Sequence, residues 1–494
     1  MEKATATHVH LNPDTTPGFT HAPILTSEGA KLASELLTIN HASYHSRWKG
    51  TFHNHLVHHL LAQWALGASP DPIRDLWEFN KPYQSSIRRE DSPIEEPVIW
   101  KDLKDPKVFE ECLAKDECYA DFLKFFEDEI TEKGVPETIK EYFLKGDARA
   151  DDIFSRMFAD LVHPMIHLGC GLEFHQPAIA AEALAGACIH SNWPIKFFLP
   201  TEDHVRSKSS AGKDIPSKPL LQILGDMRND PVIKNGCKAT DPFNKIPDGF
   251  LKRVSAEQLA PYLGQFQVKP TPEDIQYKLS EFLYTVAYMA GAAQKPGKYE
   301  AMDFVLLHSV TLSVFYPALM ALDWISNVEK ARLLEAAARM SAVMYGGCGC
   351  PELYPERVVN YTPRKPEHGW SELFHRANIY RDEGHLAKAM RAFYALDFLP
   401  DASPLSSLPI KKEDLIKIAH MALDSAERAF EPDGTLLPDI VADGIAKSVG
   451  FGGEMVADNL RRFVFYGGLD DAWKYIPDLD RKMAVNEPMF FIYN

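Results

Sequence analysis

Apolar residues in this chain recur mostly at intervals of three and four, and strict alternation of apolar and polar residues is scarce. That pattern predicts a mainly α-helical, all-α protein. Residues 1–25, punctuated by Pro13, Pro17 and Pro23, read as an extended arm. Ser27 is the expected N-cap of a helix carrying Ala30, Leu32 and Leu36 on one face. The stretch 52–66, dense in leucine, alanine and histidine, predicts a helix stopped at Gly67, with Pro70 and Pro72 beyond. Residues 80–105 read as irregular, and 106–148 as exposed amphipathic helices. An apolar helix is expected from about Asp151 to 176, kinked at Pro164, and another over 177–191. Residues 192–272 hold many prolines and no sustained period. They read as a long irregular excursion with a hairpin or two, placed to act as a lid over a cleft. Helical periodicity returns over 273–294, 299–324, 327–345, 371–397 and 411–431. A turn-rich break covers 346–358, and a glycine-rich turn at 450–455 precedes a last helix. There is no internal repeat, so residues 1–494 read as one large helical domain.

Charge narrows the partners. Lysine and arginine total 53 against 69 acids, a net charge of −16. That balance opposes nucleic-acid phosphates and anionic membranes and leaves a neutral small molecule open as ligand. No uninterrupted apolar run reaches the roughly 18 residues of a membrane helix, and the first residues lack the apolar core of a secretory signal. The seven cysteines, at 112, 118, 170, 188, 237, 348 and 350, follow no regular framework. They are expected to be reduced thiols, with the cytoplasm as compartment.

The chemistry sits in the histidines, of which there are 19. Four apolar helical segments carry them: His55, His58 and His59 in the first, His163 and His167 in the second, His308 in the third, and His385 with Lys388 three residues later in the fourth. Spacings of three and four put such pairs on one helix face. Each histidine taken alone is readily a core residue bonded to a neighbour, and Lys388 an ordinary lysine paired with Asp382 or Glu383. An unpaired buried imidazole costs roughly 1–3 kcal/mol, and four segments accepting that cost point to a shared metal ion. Imidazole does not choose among iron, copper, zinc and nickel. Asp303 and Asp382 are candidate acceptors for the outer ring nitrogens of His308 and His385. Phe304, Phe315, Tyr316 and Trp370 are candidates either to line an aromatic site or to fill plain core. There is no HExxH, no GxGxxG after a strand, no GxxxxGK[ST] and no GxSxG, so zinc-protease, dinucleotide, P-loop and serine-hydrolase readings lose support.

The segments NHLVHHLLAQWALGAS (54–69), LVHPMIHLGCGLEFHQP (161–177), LLHSVT (306–311) and DEGHLAKAMRA (382–392) resemble the questin oxidase-like family, in the expected order. The resemblance implies oxidative cleavage of an aromatic polyketide, typically an anthraquinone opened to a benzophenone, with dioxygen as co-substrate. It further implies a non-heme iron(II) site of four histidines and a lysine carboxylated by carbon dioxide. Carried onto this chain, the ligands are His55, His163, His308, His385 and Lys388, with His385 and Lys388 as the catalytic pair; His58, His59 and His167 are alternates within their motifs. An NADPH-dependent Baeyer–Villiger-type monooxygenase, with a reductase partner or a reduced substrate as electron source, is the alternative within the class. Outside it stand a metal-dependent hydrolase, which zinc would favour, and a metal-free helical binding protein.

Overall fold

In the computed structural model the described residues are 3–87, 100–432 and 434–479. The architecture is mainly α-helical. Its centre is the helix Phe304–Ser313, whose sequence FVLLHSVTLS has no polar face to offer water. A helix that is apolar all round must be enclosed on all sides. Every residue from Val305 to Ser313 is buried, and the helices Ala159–Glu173, Pro272–Ala292, Asn327–Gly347 and His385–Ala395 pack around it. The helix Leu56–Ala65 closes this shell against Ala159–Glu173 and His385–Ala395, and is backed by Ser27–Ser43. The stretch Phe304–Ala321 is long and apolar enough to cross a membrane by length and composition, and 78% of it lies buried inside the protein. All seven cysteines are free and buried.

Several boundaries differ from the sequence reading. Thr26, not Ser27, caps the first helix, its side chain accepting the amide of Gly29. The helix expected from 52 starts at Leu56, because Phe52–His53 pair antiparallel with Arg47–Trp48. Pro164 makes no kink. The break lies just before it, where Asp160, Leu161 and Val162 adopt φ of 45°, 55° and 61°. Regular helix resumes at His163, so Pro164 falls in a first turn, where a missing N–H is harmless. The helix expected over 371–397 is two, Trp370–Ile379 and His385–Ala395, separated by a turn ending at Gly384 (φ 84°). The one expected over 299–324 begins only after Asp303 and is broken again before Tyr316.

The largest correction concerns 192–272, which is not irregular. It folds into the helices Ile195–Ser210, Leu220–Asn229 and Ala256–Leu263, with shorter turns between. Pro200 and Pro261 sit inside two of these helices and hide their period. No hairpin lies there; among the described residues the only strand pair is 47–48 with 52–53. A further helix, Asp439–Val449, precedes the glycine-rich turn at 450–452. Of the 80–105 stretch, residues 88–99 lie outside the described residues.

Candidate metal centre

Four imidazoles from four segments close into a ring. The ring centroids of His55 and His163 are 4.8 Å apart, those of His163 and His308 4.9 Å, those of His308 and His385 5.3 Å, and those of His385 and His55 4.9 Å. Nitrogens of His55, His163 and His385 all lie within 4.8 Å of one another, and His308 completes the ring from the central helix.

Local structure aims each ring. Asn54 accepts the Leu56 amide and donates to Asn40 Oδ1 and the His45 carbonyl, which fixes His55 at the very start of its helix. The left-handed turn at 160–162 brings the Asp160 carbonyl 2.6 Å from His163 Nδ1. His308 Nδ1 lies 2.6 Å from the Phe304 carbonyl one turn back. His55 Nδ1 lies 3.0 Å from Glu383 Oε2. Each of these three Nδ1 atoms faces an oxygen acceptor, so each carries the proton and leaves a lone pair on Nε2. The Nε2 atoms of His55 and His163 are then 2.8 Å apart with no proton between them. Two lone pairs at that distance repel unless a cation or proton joins them.

The rest of the centre is equally unsatisfied. His308 Nε2, both ring nitrogens of His385 and Lys388 Nζ are buried without a hydrogen-bond partner. Lys388 follows His385 by three residues and has no exposed surface. After burial, the Lys388 charge is the strongest influence on His55, His58, His308 and His385, and both hold these imidazoles neutral. His308 is driven to about 3. Burial lowers Lys388 itself to about 8, against the pull of Asp382, Cys170 and Glu383. Burial and the neighbouring Asp382 raise Glu383 to about 7. Neutral imidazoles with converging lone pairs and an amine that sheds its proton easily are the donor set a transition metal takes.

The remaining histidines of these motifs are placed otherwise. His167 spends both nitrogens, Nδ1 at 3.1 Å from His58 Nε2 and Nε2 at 2.7 Å from Glu182. His59 packs beside Gly384, with its Nδ1 3.5 Å from Asn80. His58 keeps an unpartnered Nδ1 and borders the ring, 5.5 Å from His55 between centroids. Asp303 and Asp382 do not serve His308 and His385. They cap helices, Asp303 accepting the amides of Val305 and Leu306, and Asp382 those of Gly384 and Leu386. Asn54 is a supporting residue that sequence reasoning passed over, and Glu383, weighed there only as a partner of Lys388, serves His55 instead.

A second cluster, His53, Asp160 and His190, lies on the far side of His163, with His53 stacked on it at 3.8 Å. It is already satisfied. The two histidines bond each other at 2.8 Å, His190 Nδ1 donates to the Gly186 carbonyl, and Arg47 and Trp193 hold Asp160.

The ring opens onto a cavity of about 220 Å³ lined by His55, His163 and the aromatic rings of Phe52, Phe243, Phe304, Phe465 and Tyr466. Phe304 therefore faces the site, and Phe243 brings the 192–272 region to its wall. Phe315 and Tyr316 are core, and Trp370 bonds Asp397 at the surface.

The model of the questin oxidase-like family matches residues 52–393, which span every motif described above. A protein of Aspergillus parasiticus named oxidoreductase AflY is 39% identical over 97% of this chain and 95% of its own length. The Baeyer–Villiger oxidase ptaJ of Pestalotiopsis fici is 33% identical over 80% of this chain and 87% of its own. The questin oxidase of Aspergillus fumigatus is 32% identical over 88% of this chain and the whole of its own.

Proposed function

The chain belongs to the questin oxidase-like family and is an oxidoreductase acting on a small molecule, and we propose that it is a non-heme iron-dependent dioxygenase that cleaves a carbon–carbon bond of an aromatic polyketide. The substrate class is an anthraquinone, entering as its hydroquinone, which carries the two electrons that cleavage by dioxygen needs, and the product is a benzophenone type. The observation that carries this reading is the buried ring of His55, His163, His308 and His385 beside an aromatic-walled cavity, with His308 Nε2, both nitrogens of His385 and Lys388 Nζ left without partners.

His55, His163, His308 and His385 hold the iron, and Lys388 joins them as a carbamate. The ammonium first gives up one proton, and the neutral amine then adds carbon dioxide and releases a second, so an unpaired buried cation becomes an anionic oxygen donor. Iron(II) in such a site supplies dioxygen activation. The protein supplies the rest. Glu383 fixes the tautomer of His55 and the Asp160 carbonyl that of His163, so both rings present Nε2 inward. Phe304 and Phe465, stacked 4.6 Å apart, offer faces and edges to a planar aromatic ring.

The relatives named Baeyer–Villiger oxidases favour a second reading, an NADPH-dependent monooxygenase supplied by a reductase or a reduced substrate. The two part on one experiment. Protein purified without chelators is assayed for metal by elemental mass spectrometry, then given a hydroxyanthraquinone chemically reduced to its hydroquinone under ¹⁸O₂ with and without NADPH. The dioxygenase reading expects about one iron per chain, lost in His308→Ala, and two labelled oxygens in the product without NADPH. One labelled oxygen and strict NADPH dependence in metal-free protein would replace it with the monooxygenase.

A further inference from the structure

Leading away from the ring is an unbranched file of hydrogen bonds that the metal centre does not use. His58 Nε2 lies 3.1 Å from His167 Nδ1. His167 Nε2 lies 2.7 Å from Glu182 Oε2. Glu182 Oε1 lies 2.7 Å from His41 Nδ1. His41 Nε2 lies 2.9 Å from Glu127 Oε1. The five residues come from five different helices: Leu56–Ala65, Ala159–Glu173, Pro177–Ile189, Ser27–Ser43 and Tyr119–Lys133. The inner four are buried, whereas the Glu127 side chain is 16% exposed. At the inner end, the Nδ1 of His58 has no partner and borders the ring of four imidazoles.

We propose that Glu127, His41, Glu182, His167 and His58 form a proton path between solvent and the buried centre. Every link is an atom pair that can both give and take a proton. For inward transfer, the His41 imidazolium gives its Nδ1 proton to Glu182 Oε1 and, once its ring has turned to bring the bare nitrogen to Glu127, is reloaded by Glu127 protonated from solvent. Glu182 Oε2 passes one to His167 Nε2, His167 Nδ1 passes one to His58 Nε2, and His58 releases one from Nδ1. One proton enters for each delivered, and no group keeps a changed charge. Outward transfer is the same sequence reversed. His41 lies between two carboxylates that outweigh the cost of its burial, so it rests as imidazolium, loaded at both nitrogens. A network serving stability alone has no need to run from the surface to an unpartnered nitrogen.

The use of the path rests on the oxygenase reading. An aromatic hydroxyl that binds at the centre as an anion gives up a proton, and the ring-opened product regains one. The existence of the path does not rest on that reading, and the test separates them. In metal-free protein labelled with ¹⁵N-histidine, exchange of the His58 imidazole proton with solvent is measured by NMR for wild type, Glu127→Gln and His41→Ala. Glutamine keeps a hydrogen bond to His41 but cannot relay a proton. Both variants should slow exchange by roughly tenfold or more, and imidazole added to His41→Ala should restore it. In iron-loaded protein the same variants should keep their iron and substrate affinity while kcat falls by a similar factor, with the same rescue by imidazole. Unchanged exchange in Glu127→Gln, whether or not His41→Ala folds, overturns the path. Slowed exchange in the variants, together with a wild-type protein that takes up no iron, keeps the path and removes the iron reading.

Discussion

Lys388 is the residue on which the centre turns. Its ammonium has no partner, and leaving a charge uncompensated in the interior costs several kcal/mol. Lys388→Met should therefore raise the unfolding temperature of the metal-free protein while abolishing activity. A lowered midpoint, measured by differential scanning calorimetry, would show that the amine is satisfied as it stands. Glu383 acts one step back, through His55. Glu383→Gln keeps the shape but weakens the acceptor, and should lower iron affinity or activity by about 10–100-fold; competition with a chromogenic chelator measures the first. The histidines themselves were legible in the sequence because imidazoles stand out in apolar segments. What each nitrogen bonds was not, because the acceptors are main-chain carbonyls of 160 and 304 and a carboxylate 328 residues away.

Among the elements, the helices Ser27–Ser43, Tyr119–Lys133 and Pro177–Ile189 are clamped by His41 between Glu127 and Glu182. His41 rises from 6.5 to about 9 on folding: burial opposes the charge, and the two carboxylates more than offset it. Glu182 falls from 4.5 to about 2, burial again opposing and the two histidines winning. The His41 contribution is then complete below pH 6.5 and lost as pH climbs through 9. That of Glu182 is complete above pH 4.5 and lost as pH falls through 2. The clamp is strongest between about pH 4.5 and 6.5. His41→Gln should cost on the order of a few kcal/mol at pH 6 and much less at pH 9, as read from urea unfolding at both values. Gly384 is a second element-level constraint. It has φ 84°, and a Cβ there would sit 2.6 Å from His59 Cγ. Gly384→Ala should cost about 1–3 kcal/mol and displace His385, which starts the next helix; unfolding and metal uptake report the two effects separately. The break at 160–162 was invisible in the sequence because its residues are not glycines, and Pro164 drew the expected kink to the wrong position.

At the level of the whole molecule, the mainly helical class followed directly from the three-and-four periodicity. The region 192–272 was misread because Pro200 and Pro261 sit inside two of its helices and irregular turns separate them, which hid the periodic face of Leu220, Ile223, Leu224 and Met227. Its Phe243 meets Phe465 from the far end of the chain at the cavity, 5.7 Å between ring centroids. No local pattern forecasts such a meeting. Phe465→Ala should weaken binding of an aromatic substrate by roughly threefold to tenfold with iron content unchanged, as titrated by fluorescence quenching. The centre gathers residues from position 55 to position 388, and its longest bond joins His55 to Glu383. During synthesis, then, the first of these histidines leaves the ribosome most of a protein before the last arrives, roughly 20 to 70 seconds of chain growth at roughly 5–20 residues per second. A chain cut short of about residue 390 would carry imidazoles with nowhere to converge. On the proposed metal reading, an ion would enter late, from the pool around a finished fold rather than at the tunnel mouth, and the metal available in the cell at that moment would help decide which enzyme is made.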